Sequence, residues 1–214
     1  ATDDRKDQTY FLYRLNPHWL PKLLFPLGNL RKPDVWREAE ALGLPADELK
    51  ESQEICFVTQ GDYRTFIEKE LPEAKKPGLF INETGQPMGR HDGIAFYTPG
   101  QRRGLGIATG QRLYVQQVRP ATNTVVLGPE ESLRRHECTV SDLNLFTTQL
   151  LERSAKVQVK VRYATPPTPA TLLPLNSSSL RIHFQVPQRA LSPGQSAVFY
   201  EGDQVLGGGI IQPF

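Results

Sequence analysis

The chain has 214 residues and a formal net charge of +2, and its hydrophobic share of 38% rises to about 46% with glycine, the ordinary globular range. Disorder of the whole chain is therefore excluded, and the length suits one large domain or two to three small ones. No run of 18 apolar residues occurs and residues 1–7 carry no apolar segment, so we expect a soluble, cytoplasmic protein without membrane span or signal peptide. Two cysteines are too few for a disulfide scaffold or, alone, a zinc site.

Charge is unevenly spread along the chain. Residues 34–73 contain 4 Lys/Arg against 11 Asp/Glu, a balance of −7, whereas residues 90–119 contain 5 Arg against one Asp, a balance of +4. Residues 152–189 contain 6 basic residues against one Glu, a balance of +5. The acidic and basic segments either face different partners or are the solvated faces of ordinary domains.

The first third of the chain predicts helices around at least one strand. Helix-capping signals occur at Asp7, before the apolar residues Tyr10, Phe11, Leu12 and Leu15, and at Asn16-Pro17. Further signals occur at Pro33 through Gly43 and at Asp62 before residues 63–70, a helix that Leu71-Pro72 terminates. Between the last two helices, the β-branched and aromatic run of residues 54–59 predicts a buried strand.

The remainder of the chain predicts β structure. From Pro77 onward, glycine and proline recur between short apolar runs, which favours a small antiparallel domain, with residues 113–118 and 125–127 paired across the turn at 119–123. From Glu152, valines alternate with polar and basic residues over 156–163, and apolar residues alternate again over 180–186. Residues 164–179, rich in Pro, Thr and Ser, are predicted to form a loop between these strands. We expect a small closed or half-closed barrel.

Cys56 is the first candidate for chemistry, because polar residues lead abruptly into the predicted strand that contains it. It is either a reactive thiolate, which requires a lowered pKa, or a buried apolar filler. Cys138 stands beside His136 and Glu137, but two neighbours do not make a metal or nucleophile site, and we interpret it as structural. No metal site is predicted.

Two basic features are candidates for binding phosphates. Gln101, Arg102 and Arg103 lie on a glycine-flanked turn whose spacing matches neither a dinucleotide fingerprint nor a P-loop; they are candidate phosphate ligands or an ordinary exposed hairpin. The second feature is the face formed by Lys156, Lys160 and Arg162 and ending in Tyr163. Positive charge with an aromatic ring at the strand end is typical of a nucleic-acid surface.

Several motifs together resemble one known family. In chain order they are D-Q-T-Y-F-L at 7–12, F-P-L-G at 25–28, E-S-Q-E-I-C-F-V at 51–58, the run from H-D-G to G-L-G at 91–106, P-G-Q-S-A-V-F-Y at 193–200 and L-G-G-G-I-I at 206–211. In this order and over nearly the whole chain they closely resemble the tRNA-specific 2-thiouridylases.

The resemblance implies an activity, partners and site residues. Family members activate C2 of the tRNA wobble uridine with ATP as co-substrate, and a cysteine persulfide then delivers sulfur with loss of AMP. The persulfide cysteine falls on Cys56, and its sulfur comes from a cysteine desulfurase or a sulfur-relay protein. The family's tRNA-contacting positions fall on Lys6, Asp7, Gln8, Arg162, Tyr163 and Gln195.

One departure from the family pattern is large. The S-G-G-V-D-S phosphate loop and the second catalytic cysteine of the family have no counterpart in this chain, and Cys138 does not match that cysteine. We therefore expect the C-terminal part of a thiouridylase, inactive by itself: an α+β chain with a helical remnant of an α/β catalytic domain (1–73), a small central β domain (74–140) and a C-terminal antiparallel β-barrel (141–214). The alternative is a non-catalytic tRNA-binding β module with a structural Cys56.

Overall fold

The computed structural model describes residues 1–44 and 63–214, which form two compact units. The barrel unit contains residues 1–44, 139–185 and 194–212, and the sheet unit contains residues 63–138, 186–193 and 213–214. Within the described ranges, no helix is long and apolar enough to cross a membrane.

Short helices dominate the first part of the chain. The α-helices are α1 (Thr9–Leu12), α2 (Lys32–Ala41), α3 (Tyr63–Glu70) and α4 (Gln149–Glu152), and 3-10 turns span Pro17–Lys22, Pro72–Ala74, Ile94–Phe96, Pro120–Thr122 and Glu131–Leu133. The predicted start at Asn16 is confirmed, because Asn16 Oδ1 accepts the His18 N–H at 3.0 Å. The N-cap of α1 is Gln8 and not the predicted Asp7. Gly43 ends α2 with a φ of +70°, a conformation that favours glycine. The predicted strand at 54–59 and the Asp62 cap lie outside the described residues.

α1 is shorter than the sequence predicts. The Asp7 carboxylate does accept the Thr9 N–H at 2.7 Å, but the helix makes a single turn and ends at Leu12 rather than reaching Leu15. The Asn16 cap lies only four residues further on and starts a new turn. The chain therefore changes direction before a second turn of α1 can form.

The sheet unit contains a four-stranded sheet in the order β2-β1-β4-β3, with β1 Gly78–Ile81, β2 Pro87–His91, β3 Tyr114–Arg119 and β4 Thr124–Gly128. The β3–β4 hairpin across the turn at 119–123 confirms the predicted pairing. The expectation of a purely antiparallel domain is wrong, because β1 pairs with β4 in parallel. The long connection over 92–113 supplies the crossover that a parallel pair requires. The core of the sheet unit includes the buried side chains of Phe80, Phe96, Val115, Val125 and Leu127.

The C-terminal strands close into a barrel in the order β10-β5-β8-β7-β6-β9. Their bounds are β5 Arg134–Leu145, β6 Ala155–Lys160, β7 Thr168–Asn176, β8 Ser179–Arg189, β9 Ser196–Glu201 and β10 Gln204–Ile211. The apolar face predicted for β6 and β8 points inward and is buried up to Phe184, whereas Val186 is 56% exposed, contrary to the alternation. An α+β fold with a C-terminal barrel is thus confirmed.

The predicted loop over 164–179 is wrong, since β7 occupies most of it. Its inward residues Ala170 and Leu172 are buried and continue the barrel core. Pro169 and Pro174 obscured this pattern, because proline normally argues against a strand. Here Pro169 is the second residue of the strand, and Pro174 lies where the register with β8 is already irregular.

Candidate nucleic-acid interface

Two tyrosines attach α1 and the residues before it to the barrel. The Tyr10 hydroxyl donates to the Ser196 carbonyl at 3.0 Å, and the Tyr13 hydroxyl shares a hydrogen bond of 2.8 Å with Ser196 Oγ. The Tyr13 ring lies against Gly208, where a Cβ atom would come within 2.7 Å of the ring. Because only glycine allows this approach, α1 packs closely beside β9 and β10.

That attachment brings together two motifs that are distant in sequence. Gln8 Nε2 donates to the Tyr163 hydroxyl at 2.9 Å across a separation of 155 residues. The Phe11 ring lies 5.1 Å from the Tyr163 ring, and Lys160 Nζ lies 5.4 Å from its centroid. The Tyr163 ring is thus held by a hydrogen bond, an aromatic contact and a cation.

A cleft of about 940 Å³ opens beside this cluster. Its lining includes Asp7, Lys160, Tyr163 and Tyr200, together with the residues 164–167 that follow Tyr163. A half-buried aromatic ring, a lysine and hydrogen-bonding side chains in one cleft are suited to a nucleobase and its phosphate.

Burial and hydrogen bonds set the ionisation of the groups beneath the cleft. Burial raises the pKa of Tyr10 to about 12, while the positive charge of Arg162 acts in the opposite direction. Burial would also raise the pKa of Asp7, but hydrogen bonds, among them those from the Thr9 hydroxyl and N–H, outweigh it and lower that pKa. At neutral pH the Asp7 side chain in the cleft lining is therefore a carboxylate, and the Tyr10 phenol is neutral.

The other residues that the sequence singled out for tRNA lie near this cluster without all touching it. Lys6 is exposed next to Asp7, and Arg162 is half-buried directly after β6, where its carbonyl accepts the Thr165 N–H at 3.2 Å. Gln195 precedes β9, and its Oε1 is buried without a hydrogen-bond partner among the described residues. Its neighbour Ser196 forms the hydrogen bonds with the hydroxyl groups of Tyr10 and Tyr13.

In the glycine-flanked turn of the sheet unit, one of the three candidate phosphate ligands, Gln101, forms hydrogen bonds within the turn. Gln101 Oε1 accepts the Thr98 N–H at 3.1 Å, and Gln101 Nε2 donates to the Arg103 carbonyl at 3.0 Å. The Gln101 amide therefore stabilises the turn. Arg102 and Arg103 are exposed on it.

Of the two cysteines, only Cys138 lies within the described residues. Cys138 is buried on β5, and burial raises the pKa of its thiol to about 12, so it stays protonated at neutral pH. Cys56 lies outside the described residues. Among residues 1–44 and 63–214, no group of three or more His, Cys, Asp or Glu side chains is placed to hold a metal ion.

Sequence reasoning did not single out Phe11 or Tyr200, which belong to this site. Phe11 contacts Tyr163, and the Tyr200 hydroxyl lies 3.3 Å from Thr9 Oγ1. Both residues fall inside the quoted motifs, at 7–12 and 193–200, so motif membership was the available signal. The contacts of Phe11 with Tyr163 and of Tyr200 with Thr9 join residues far apart in the chain, so no local sequence pattern indicates them.

Comparison with known proteins bears on the same segments. Three family models match consecutive parts of the chain: a tRNA methyl transferase HUP domain over 1–60, a tRNA methyl transferase PRC-barrel domain over 64–129 and an aminomethyltransferase beta-barrel domain over 135–211. A tRNA-specific 2-thiouridylase MnmA of Pelotomaculum thermopropionicum is 46% identical over 210 residues, covering 98% of this chain. The chain belongs to the tRNA-specific 2-thiouridylase family.

Further members of the family match over nearly the same length. The MnmA of Acetivibrio thermocellus is 46% identical and an MnmA of Clostridium botulinum is 42% identical, each over 212 residues and 99% of the chain. The chain spans 57–60% of the length of these relatives. The family-model matches over 1–60 and 135–211 include the residues that line the cleft described above.

Proposed function

We propose that the complete protein transfers sulfur to C2 of the wobble uridine of tRNA, and that this chain supplies tRNA contacts and the sulfur-carrying Cys56. The observation that carries the proposal is the contact between Gln8 and Tyr163, two residues that match tRNA-contacting positions of the family and lie 155 residues apart. Relatives at 46% identity are named tRNA-specific 2-thiouridylases, which supports the same reaction.

The proposed chemistry has two stages. The uridine C2 oxygen is a poor leaving group, so ATP first converts it to an adenylate with loss of pyrophosphate. The terminal sulfur of a Cys56 persulfide then attacks C2, the C–O bond breaks and AMP leaves. This chain contains no S-G-G-V-D-S loop, so residues outside it bind ATP.

Release of the product requires a second thiol. After attack on C2, the transferred sulfur is still bonded to Cys56, and a thiolate must attack the Cys56 sulfur to form a disulfide and free the 2-thiouridine. Cys138 is unsuited to this role, because it is buried and its pKa is raised to about 12. The second cysteine therefore lies outside this chain. A thiol reductant must first reduce the resulting disulfide to two thiols, after which a cysteine desulfurase or a sulfur-relay protein reloads Cys56.

In this proposal the cleft holds the loop that contains the target base. The Tyr163 ring stacks on a base, Gln8 and Gln195 hydrogen-bond to base edges, and Lys6 and Arg162 contact phosphates. Asp7 fixes the segment through its hydrogen bond with the Thr9 N–H. The wobble base must leave the anticodon stack to reach Cys56. Arg102 and Arg103 are proposed as further phosphate contacts, with Gln101 supporting their turn.

Persulfide labelling tests the role of Cys56. The complete protein is incubated with a cysteine desulfurase and cysteine, and each cysteine is identified by mass spectrometry after alkylation. We expect sulfur on Cys56 and none on Cys138, which serves as an internal control because its buried thiol is protonated at neutral pH. Cys56→Ser should abolish thiolation while preserving tRNA binding.

The second candidate function is a non-catalytic tRNA-binding module in which Cys56 is structural. It rests on the same cleft, which needs no cysteine to bind RNA. Absence of both persulfide and alkylation at Cys56 in the folded complete protein, together with tRNA binding, would favour this candidate. Absence of tRNA binding would contradict both functions.

A further inference from the structure

The outer face of three neighbouring barrel strands is free of acidic side chains. Residues 153–200 contain no Asp or Glu. The outward positions are Lys156, Gln158 and Lys160 on β6, Pro169, Thr171 and Leu173 on β7, and Arg181, His183 and Gln185 on β8, and all of them are exposed or half-exposed. We call Lys156, Lys160, Arg181 and His183 the basic barrel face.

Strand register spreads these basic residues over one continuous area. Lys156 lies opposite Thr171, and Thr171 lies opposite His183, so the three form a row across β6, β7 and β8. Two strand spacings place Lys156 and His183 about 10 Å apart, and the rise along a strand places Lys160 about 13 Å from Lys156 and Arg181 about 7 Å from His183.

Lys156, Lys160 and Arg181 keep their positive charges without a carboxylate partner in the described part of the chain. At one edge of the face, Glu201 lines a shallow groove together with Lys156. Like charges at these spacings repel one another, and a polyanion bound across the strands would remove that repulsion.

We propose that the basic barrel face binds the phosphate backbone of the double-stranded tRNA stem next to the loop held at Tyr163. This inference rests on the proposed function. Lys160 connects the two surfaces, because it lines the cleft and lies 5.4 Å from the Tyr163 ring centroid. An RNA stem is recognised mainly through phosphates and 2′-hydroxyls, which charged and amide side chains on a sheet can contact.

The composition of the face favours RNA over an acidic protein. Between its basic residues lie Gln158, Thr171 and Gln185, which can donate hydrogen bonds to phosphate or ribose oxygens. Protein interfaces depend on buried aromatic and arginine anchors in pockets, and the outward positions of β6, β7 and β8 include no aromatic ring apart from His183. Interfaces with nucleic acids are polar and strongly positive, as this face is.

The test uses the complete protein and removes two charges outside the cleft. Lys156→Gln combined with Arg181→Gln is compared with Lys69→Gln combined with Lys76→Gln, which changes the net charge equally on exposed residues of the sheet unit. The association constant K for full-length tRNA is measured as a function of salt concentration. Loss of two phosphate contacts should lower the slope of log K against log salt by about 2 and weaken binding several-fold at about 0.1 M salt. The control pair should keep the native slope.

Shorter RNAs identify the part of the tRNA that is bound. The barrel-face variant should bind an anticodon stem-loop more weakly than the native protein but bind the single-stranded loop sequence equally well. An unchanged slope with full-length tRNA overturns the proposal, and if sulfur transfer from the desulfurase falls at the same time, the face binds an acidic protein partner instead. If the native protein itself fails to bind tRNA, the proposed function fails rather than the placement of the stem. Equal melting temperatures of the variants exclude misfolding.

Discussion

At the scale of single residues, His91 illustrates how burial selects a protonation state. It is 3% exposed between the rings of Phe80 and Tyr97, whose centroids lie 5.3 and 5.6 Å away, and neither of its nitrogens makes a hydrogen bond of normal geometry with a described residue. Burial lowers the pKa of His91, against weaker opposing effects of the Asn123 carbonyl and the Asp92 carboxylate. The folded chain therefore holds this ring neutral.

This lowered pKa predicts a loss of stability in mild acid. Below its ordinary pKa of 6.5, His91 takes up a proton in the unfolded chain before it does so in the folded chain. The His91 contribution is thus complete above pH 6.5 and is lost as pH falls toward the folded pKa. Urea unfolding at pH 7.5 and at pH 5.5 measures it. The pH-dependent loss should be smaller in His91→Phe, and an equal loss in both proteins would assign it to other groups.

Residue types indicated where a candidate site lies but not how its side chains contact one another. Charge and aromatic character alone singled out Arg162 and Tyr163 as a nucleic-acid surface, and the described cleft includes Tyr163. The partner of Tyr163 could not be read from composition or spacing, because Gln8 lies 155 residues away from it along the chain. The resemblance supplied Gln8 as a site residue without supplying the contact. The role of Cys56 stays a prediction.

At the scale of elements, the close approach of α1 to β10 depends on Gly208. An added Cβ there would come within 2.7 Å of both the Tyr13 ring and the Ala197 carbonyl. Gly208→Ala should therefore reduce the free energy of unfolding by about 1–3 kcal/mol, a typical cost of overpacking. A double-mutant cycle with Tyr13→Leu separates the two contacts. If the ring is the main obstacle, the cost of Gly208→Ala falls in the Tyr13→Leu background, whereas strict additivity would point to the carbonyl alone.

Local patterning predicted helix starts and strand alternation, and it failed where a non-local pairing decided the structure. The Asn16 cap and the β3–β4 hairpin depend on neighbouring residues and were predicted correctly. β7 was missed because its two prolines lower the local preference for a strand, while burial of Ala170 and Leu172 in the closed barrel compensates. The parallel pairing of β1 with β4 likewise depends on residues more than 40 positions apart.

At the scale of the whole molecule, charge is segregated along the chain: a balance of −7 over 34–73, from 4 basic and 11 acidic residues, contrasts with +5 over 152–189, from 6 basic residues and one acidic residue. This segregation is visible in the sequence. Strand register was needed to show that residues 152–189 place Lys156 and Arg181 on one exposed barrel face. Association with an RNA polyanion should therefore depend on the barrel unit and weaken steeply with salt.

Arg162 provides the most direct test of where that salt dependence originates. It follows β6 beside Tyr163, and its charge is close enough to Tyr10 to influence the pKa of that phenol. In the complete protein, Arg162→Ala should weaken tRNA binding and reduce the salt slope by about 1, as loss of one phosphate contact does. Lys69→Ala removes the same charge from α3 and should leave the slope unchanged. If Arg162→Ala weakens binding without altering the slope, Arg162 contacts a base or supports Tyr163, and the phosphate contact must be assigned to another residue of the cleft.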